Sequence, residues 1–214
     1  MSASLLVSVG FIVLPIAVAA ALAWTAMSRA LSLSIVAWLV LSAALALSGI
    51  LIHFEWVPPP IGLLLVAGFI GTIAAGRSSW VEHLIELPWS ILIGFHAFRI
   101  LVEILIHTAT TIDLAPPQMS WHGFNFDIVT GVSALLLAPF ARSAPKGLIF
   151  AWNILGLTLL LAVVTVAAVS FPTRLQLMRP DNSWVAVFPY VWLPAVLVTA
   201  ALLGHIIIFR KLRR

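Results

Sequence analysis

The feature that most constrains this chain is the length of its apolar runs, among them one from Leu31 that is uncharged until His53 and Glu55. Runs of about 20 apolar residues match the thickness of a bilayer's hydrocarbon core, which admits only helices or closed barrels. Composition agrees, with 63% hydrophobic and 8% charged residues and a mean hydropathy of +1.17, against about 25% charged in soluble domains. The chain therefore reads as an all-α integral membrane protein. Seven such runs fit: 5–27, 31–54, 61–76, 84–108, 126–141, 147–170 and 184–209. They consume most of the 214 residues, so residues 1–214 form one transmembrane domain, with the lipid bilayer as its first partner. The N-terminal run carries a signal-like Ala17-Val18-Ala19 but no basic flank, and is read as a retained first span.

The charges test that count. Seven alternating spans place Arg29, Arg77, Arg142, Lys146 and the four tail cations Arg210, Lys211, Arg213 and Arg214 on one side, against Arg174 and Arg179 on the other. The positive-inside rule then puts the N-terminus outside and the C-terminus in the cytoplasm, as in a multi-pass protein of a bacterial inner membrane. The same bias explains the formal charge of +4 as topology, and a nucleic-acid role has no folded basic domain to carry it.

Against this background the stretch His96–His107, "HAFRILVEILIH", stands out. His96, Arg99, Glu103 and His107 recur at i, i+3, i+7 and i+11, so an ideal helix gathers them within roughly 80° of one face. Counting 1.5 Å per residue from Leu84 puts Arg99 and Glu103 roughly 22 and 28 Å along the span, in its outer half. The same topology brings His53 and Glu55 to the outer end of the second span, and His122, Asn125 and Asp127 to the outer cap and start of the fifth. The connection 110–125, with Pro116-Pro117, Trp121, His122 and Gly123, is expected to be a structured cap.

Ionisable groups inside a membrane are costly and mark ligand sites or proton relays. Arg99, Glu103, His107 and His96 are therefore the candidate ligand or proton residues. Glu103 and His107 lie one turn apart and together suit a divalent metal such as zinc, manganese or iron, with His53, Glu55, His122 or Asp127 completing a shell. The competing structural reading pairs Arg99 with Glu103 at i, i+4, leaves His107 at the interface and makes His96 a hydrogen-bonded core histidine. Asn125 and Asp127 equally suit helix capping, and Asn153 a bond to a neighbouring helix. Trp56, Trp80, Trp121 and Trp184 read as an interfacial belt.

Several chemistries are excluded or disfavoured. The chain has no cysteine, which removes thiolate metal sites and disulfides. Its two lysines, Lys146 and Lys211, lie beside span ends, so no mid-membrane Schiff base to retinal exists. A haem held by two histidines is disfavoured because His205 is expected near the cytoplasmic end, away from His96, leaving His53 and His107 as the nearest pairing in depth. Ser133, in "GVSAL", lacks a nucleophile-elbow pattern.

The stretches "RILVEILIH", "MSWHGFNFDIVTG" and "FPYVWLP" resemble those of an uncharacterised family of bacterial multi-pass membrane proteins over about Phe95 to Leu193. The resemblance implies a membrane bundle and carries no activity. The functional expectation is binding of a small ligand, proton or metal ion at a polar site in the outer half of the bundle, for redox or transport chemistry. Two alternatives stand beside it: a structural or accessory subunit associated with other membrane subunits, and a membrane-embedded metal-dependent hydrolase.

Overall fold

The computed structural model describes residues 2–214, and every regular element among them is helical. Helices α1 (Ala3–Ala26) and α2 (Arg29–Leu47) are joined by a two-residue turn in which Met27 has φ of 49° and Ser28 caps α2 by accepting from the Leu31 amide. The turn is too short for anything but an antiparallel pair. The triple proline Pro58-Pro59-Pro60 then ends irregular structure and starts α3 (Pro60–Arg77), where proline at the first position forfeits no helical hydrogen bond. After the short α4 (Glu82–Glu86), the expected fourth span is two helices, α5 (Trp89–Phe95) and α6 (Phe98–Thr111). They meet at His96-Ala97, where backbone bonds tighten to the i to i+3 pattern, Arg99 N–H donating to His96 O at 3.1 Å. The remaining helices are α7 (Ile128–Leu137), α8 (Lys146–Val169) and α9 (Val198–Leu212), the last preceded by a π-helical turn at Leu193–Leu197.

Among the described residues, six stretches are long and apolar enough to cross a membrane: Ala3–Ala26, Arg29–Leu47, Pro60–Arg77, Trp89–Thr111, Lys146–Val169 and Leu193–Leu212. The run expected to be the fifth span is only the 10-residue α7 and a following 3₁₀ turn. The reason lies in the segment before it. Residues 112–127 are irregular and turn back into the bundle, with Gln118, Met119, Ser120 and Asn125 buried. Their polar groups are satisfied internally: Gln118 Nε2 donates to Pro180 O at 2.6 Å and to Ser170 Oγ at 3.2 Å. Irregular backbone at membrane depth survives only where protein surrounds it.

The last helical stretch, Leu193–Leu212, is the centre of the bundle, with 72% of its span window buried against 17–39% for the other five. Pro194 and the π-helical turn disturb its backbone ladder, and Ala195 O accepts instead from Trp38 Nε1 and Thr199 Oγ1, both at 2.7 Å. Trp184 corrects one expectation. It is buried, packs edge-on to Phe11 at 5.6 Å and bonds to Asn182, so it is a core residue rather than part of an interfacial belt, whereas Trp56 and Trp80 are exposed near helix ends.

At the bundle end that carries Arg29 and Arg77, the tail of α9 is clamped to the α3–α5 connection. Arg210 donates to Gly76 O and Ser78 O, both at 2.8 Å, and to Glu82 Oε1 at 2.6 Å. Lys211 Nζ donates to Ile85 O at 2.7 Å and Leu87 O at 2.9 Å. These cations satisfy carbonyls that helix ends leave unpaired. Glu82 accepts from Arg214 as well, and this contact first holds its carboxyl below the ordinary 4.5. A depressed carboxylate stabilises the fold fully above its unfolded value and loses that contribution as pH falls through the lowered one. Replacing Arg210→Ala removes the charge-assisted bonds to Gly76 O, Ser78 O and Glu82. We expect a lower thermal unfolding midpoint in detergent, with the gap between variant and wild type narrowing in acid as Glu82 protonates.

Candidate functional site

The polar residues of the bundle meet around Arg99. Its side chain projects from the first turn of α6 toward the start of α7, where Nε donates to Asp127 Oδ2 at 2.6 Å and Nη2 donates to Asp127 Oδ1. Both side chains are buried. The pair is the two-point, fork-to-carboxylate geometry that makes arginine the preferred cation for such burial. Nη1 donates to His205 Nε2 at 3.0 Å, while Gly156 O receives longer contacts of 3.4 and 3.5 Å.

Proton positions on His205 follow from its neighbours. A guanidinium has no acceptor, so His205 Nε2 must carry the lone pair and Nδ1 the hydrogen. That hydrogen goes to Asn153 Oδ1 at 2.8 Å, and Asn153 Nδ2 donates back to His205 O at 3.1 Å. Asn153 thus joins α8 to α9, as its place in an apolar span suggested. A side chain at Gly156 would destroy the arrangement, because a Cβ there lies 2.7 Å from His205 Cε1 and 2.8 Å from Thr130 Cγ2.

His96 sits against His205 with ring centroids 4.2 Å apart and against Trp152 at 5.5 Å. It is fully buried, yet neither ring nitrogen has a hydrogen-bond partner. The core-histidine expectation is met for burial and not for bonding. On the other side of Arg99, Asn125 connects the ion pair to Glu103: its Oδ1 accepts from the Asp127 amide at 3.0 Å and its Nδ2 donates to Glu103 Oε2 at 2.8 Å and Met119 O at 2.9 Å. The connected groups run His96, His205, Arg99, Asp127, Asn125, Glu103. The chain of contacts runs from the α5–α6 junction through α9 and α6 to the 112–127 segment.

Two cavities flank it. One of about 340 Å³ lies toward the basic end, bounded by Ser90, Gly94, Phe95 and Gly204. His96 stands directly behind Gly204, whose Cβ, if present, would lie 2.7 Å from His96 Nε2. The other, of about 60 Å³, is lined by Glu103 and Asp127 among apolar side chains, and exceeds the ~10–15 Å³ that one water needs.

This arrangement departs from the sequence expectations at identifiable points. Arg99 pairs with Asp127, not with Glu103 at i, i+4, because Asp127 approaches from across the bundle and presents both oxygens. For the same reason Asp127 makes no side-chain cap to α7. Pro88 starts the helical path at Trp89 rather than Leu84, so Arg99 and Glu103 lie roughly 15 and 21 Å along it. That shift puts His96 level with His205, the neighbour which the estimate from residue number had separated from it. His107 is half-buried and stacked on Trp121 at 4.2 Å, with His122 5.1 Å away. It does not reach Glu103's partners.

The six candidate metal ligands fall into separate places. His53 and Glu55 form an exposed pair of their own at 2.8 Å, in which Glu55's backbone amide, then His53, lowers the carboxyl's pKa. His107 and His122 lie with tilted rings 5.1 Å apart, Glu103 is held by Asn125, and Asp127 by Arg99. Among the described residues, no group of three His, Asp or Glu side chains converges on one point. The metal-binding expectation is therefore not supported by the placement of these six residues. Ser133 Oγ accepts from Trp152 Nε1 at 2.9 Å, a packing role.

No protein family, curated protein or solved structure matches this chain. That agrees with a resemblance to a family without an attached activity, and function must be argued from the site itself. Thr130, Gly156 and Asn125 were not legible as site residues, since each matters through a contact made across the bundle. The buried ion pair sets a direct test. Asp127→Asn and Arg99→Gln each leave an uncompensated or unpaired group and should cost about 3–5 kcal/mol. The double variant Arg99→Met with Asp127→Leu should cost less than either, as judged by thermal unfolding in detergent.

Proposed function

We propose that this protein takes up and passes protons within the membrane, through two stations separated by the Arg99–Asp127 ion pair. The observation that carries the reading is His96. A fully buried imidazole with two unpartnered nitrogens is expensive, and structures keep such groups where their chemistry is used. Packed against His205, it forms one station, toward the basic end. Glu103 forms the other: it is buried, faces the small cavity with Asp127, and accepts from an amide rather than from a cation.

Arg99 between them is a fixed positive charge, which bars free cation flow in the way positive constrictions do in channels. The arrangement therefore suits a proton-coupled carrier or redox protein rather than an open conductor. Protons exchange at each station from its own side, and Asn125, Asp127 and His205 couple the protonation of one to the hydrogen bonds of the other. His107 belongs to this picture at the outer edge, with Trp121 and His122.

For topology, we read seven passes in a bacterial inner membrane, with the N-terminus extracytoplasmic and the C-terminus cytoplasmic. The fifth pass combines the buried 112–127 segment with α7. The eight-to-two distribution of flanking cations supports this orientation, and it makes the basic end cytoplasmic.

Infrared difference spectra of the purified protein, recorded while pH is stepped over a wide range from acid to mild alkali, test the proposal. Wild type should show a carboxyl change that Glu103→Gln removes and an imidazole change that His96→Phe removes, with both retained in Glu55→Gln. Spectra that neither buried variant alters would overturn it.

A further inference from the structure

A third cavity, larger than the two that flank the polar network, lies away from it. Helices α2 and α3 make almost no contact with one another, and between them runs a lateral groove of about 510 Å³ floored by α9. This volume is in the range of about 300–1,000 Å³ typical of small-molecule sites. Leu31 and Ile35 form one wall, Gly71 and Ala75 the other, and Val196 and Leu203 the floor. Trp38 closes it toward the bundle middle: its ring lies against Gly68 and its Nε1 is held by Ala195 O. Trp80 and Ser78 stand at the basic end.

Charge identifies the occupant. The groove reaches the bundle surface where α2 starts and α3 ends, and these termini carry Arg29 and Arg77. Both are exposed, and among the described residues neither forms an ion pair, although Arg210 and Arg214 nearby are both paired with Glu82. An apolar slot in the membrane with two free cations above it matches one kind of molecule, an apolar chain with an anionic head. We propose that the α2–α3 groove binds an anionic glycerophospholipid, with an acyl chain lying between Trp38 and Trp80 and the phosphate held by Arg29 and Arg77. This site is independent of the proton network.

Gly71 provides a clean probe, because a Cβ there meets no heavy atom within 4 Å. Gly71→Leu should fill the slot without disturbing the helix, since leucine is the better helix former. The full-length protein, purified in detergent and mixed with phosphatidylglycerol or phosphatidylcholine of the same acyl chains, would be examined by native mass spectrometry for retained lipid. Wild type should retain phosphatidylglycerol over phosphatidylcholine by roughly tenfold, the effect of cations near an anionic head group. Arg29→Gln with Arg77→Gln, which touches only exposed side chains, should make the two lipids equal. Gly71→Leu should lose both while keeping the wild-type thermal midpoint. Equal retention of the two lipids by wild type overturns the proposal, as does undiminished phosphatidylglycerol on Gly71→Leu. So does a protein dimer that Gly71→Leu dissociates, which would assign the groove to a second copy of the chain.

Discussion

The polar network from His96 to Glu103 turns on the ion pair between Arg99 and Asp127. A guanidinium inside an apolar bundle is tolerable only when a carboxylate meets it with good geometry and its remaining hydrogens find acceptors. Asp127 supplies the first condition. His205 supplies the second, and in doing so it has its own tautomer fixed and its other nitrogen turned to Asn153. One buried cation thus dictates the choice of residue on α7, α8 and α9. Asp127 itself reaches Arg99 from the end of an irregular segment that is packed inside the bundle.

Helix α7 is correspondingly short and begins only at Ile128, directly after Asp127. The 112–127 segment folds inward around Gln118 and Asn125, which satisfy its backbone and tie it to α8 and Glu103. Small residues serve the same end on the opposite side, where Gly156 lets His205 approach Thr130 and the guanidinium closely. Polar chemistry at this depth is possible because the surrounding helices yield space to it.

The membrane class, the helical content and most helix positions were legible in the sequence, since apolar run length and proline placement act locally. His96–His107 was legible as the polar stretch for the same reason: buried charge in an apolar run stands out. Partners were not. The spacing of Arg99 and Glu103 suggested a bond along one helix, whereas the actual bond runs between helices, and lateral order leaves no trace in spacing. Depth failed by a smaller margin, at Pro88, where a helix assumed to start at Leu84 begins at Trp89. Five residues of offset were enough to separate His96 from His205 on paper.

The central position of α9 has a bearing on how the molecule is made. Helices enter a membrane in the order of synthesis, and α1 to α8 precede the helix that fills the middle of their bundle. Until α9 inserts, Arg99 and Asp127 have each other, but the place of His205 is open, Asn153 lacks its partner and the floor of the α2–α3 groove does not exist. The polar site is therefore the last part of the structure to be completed, and the cations of the α9 tail, by gripping the α3–α5 connection, act as the latch that closes it.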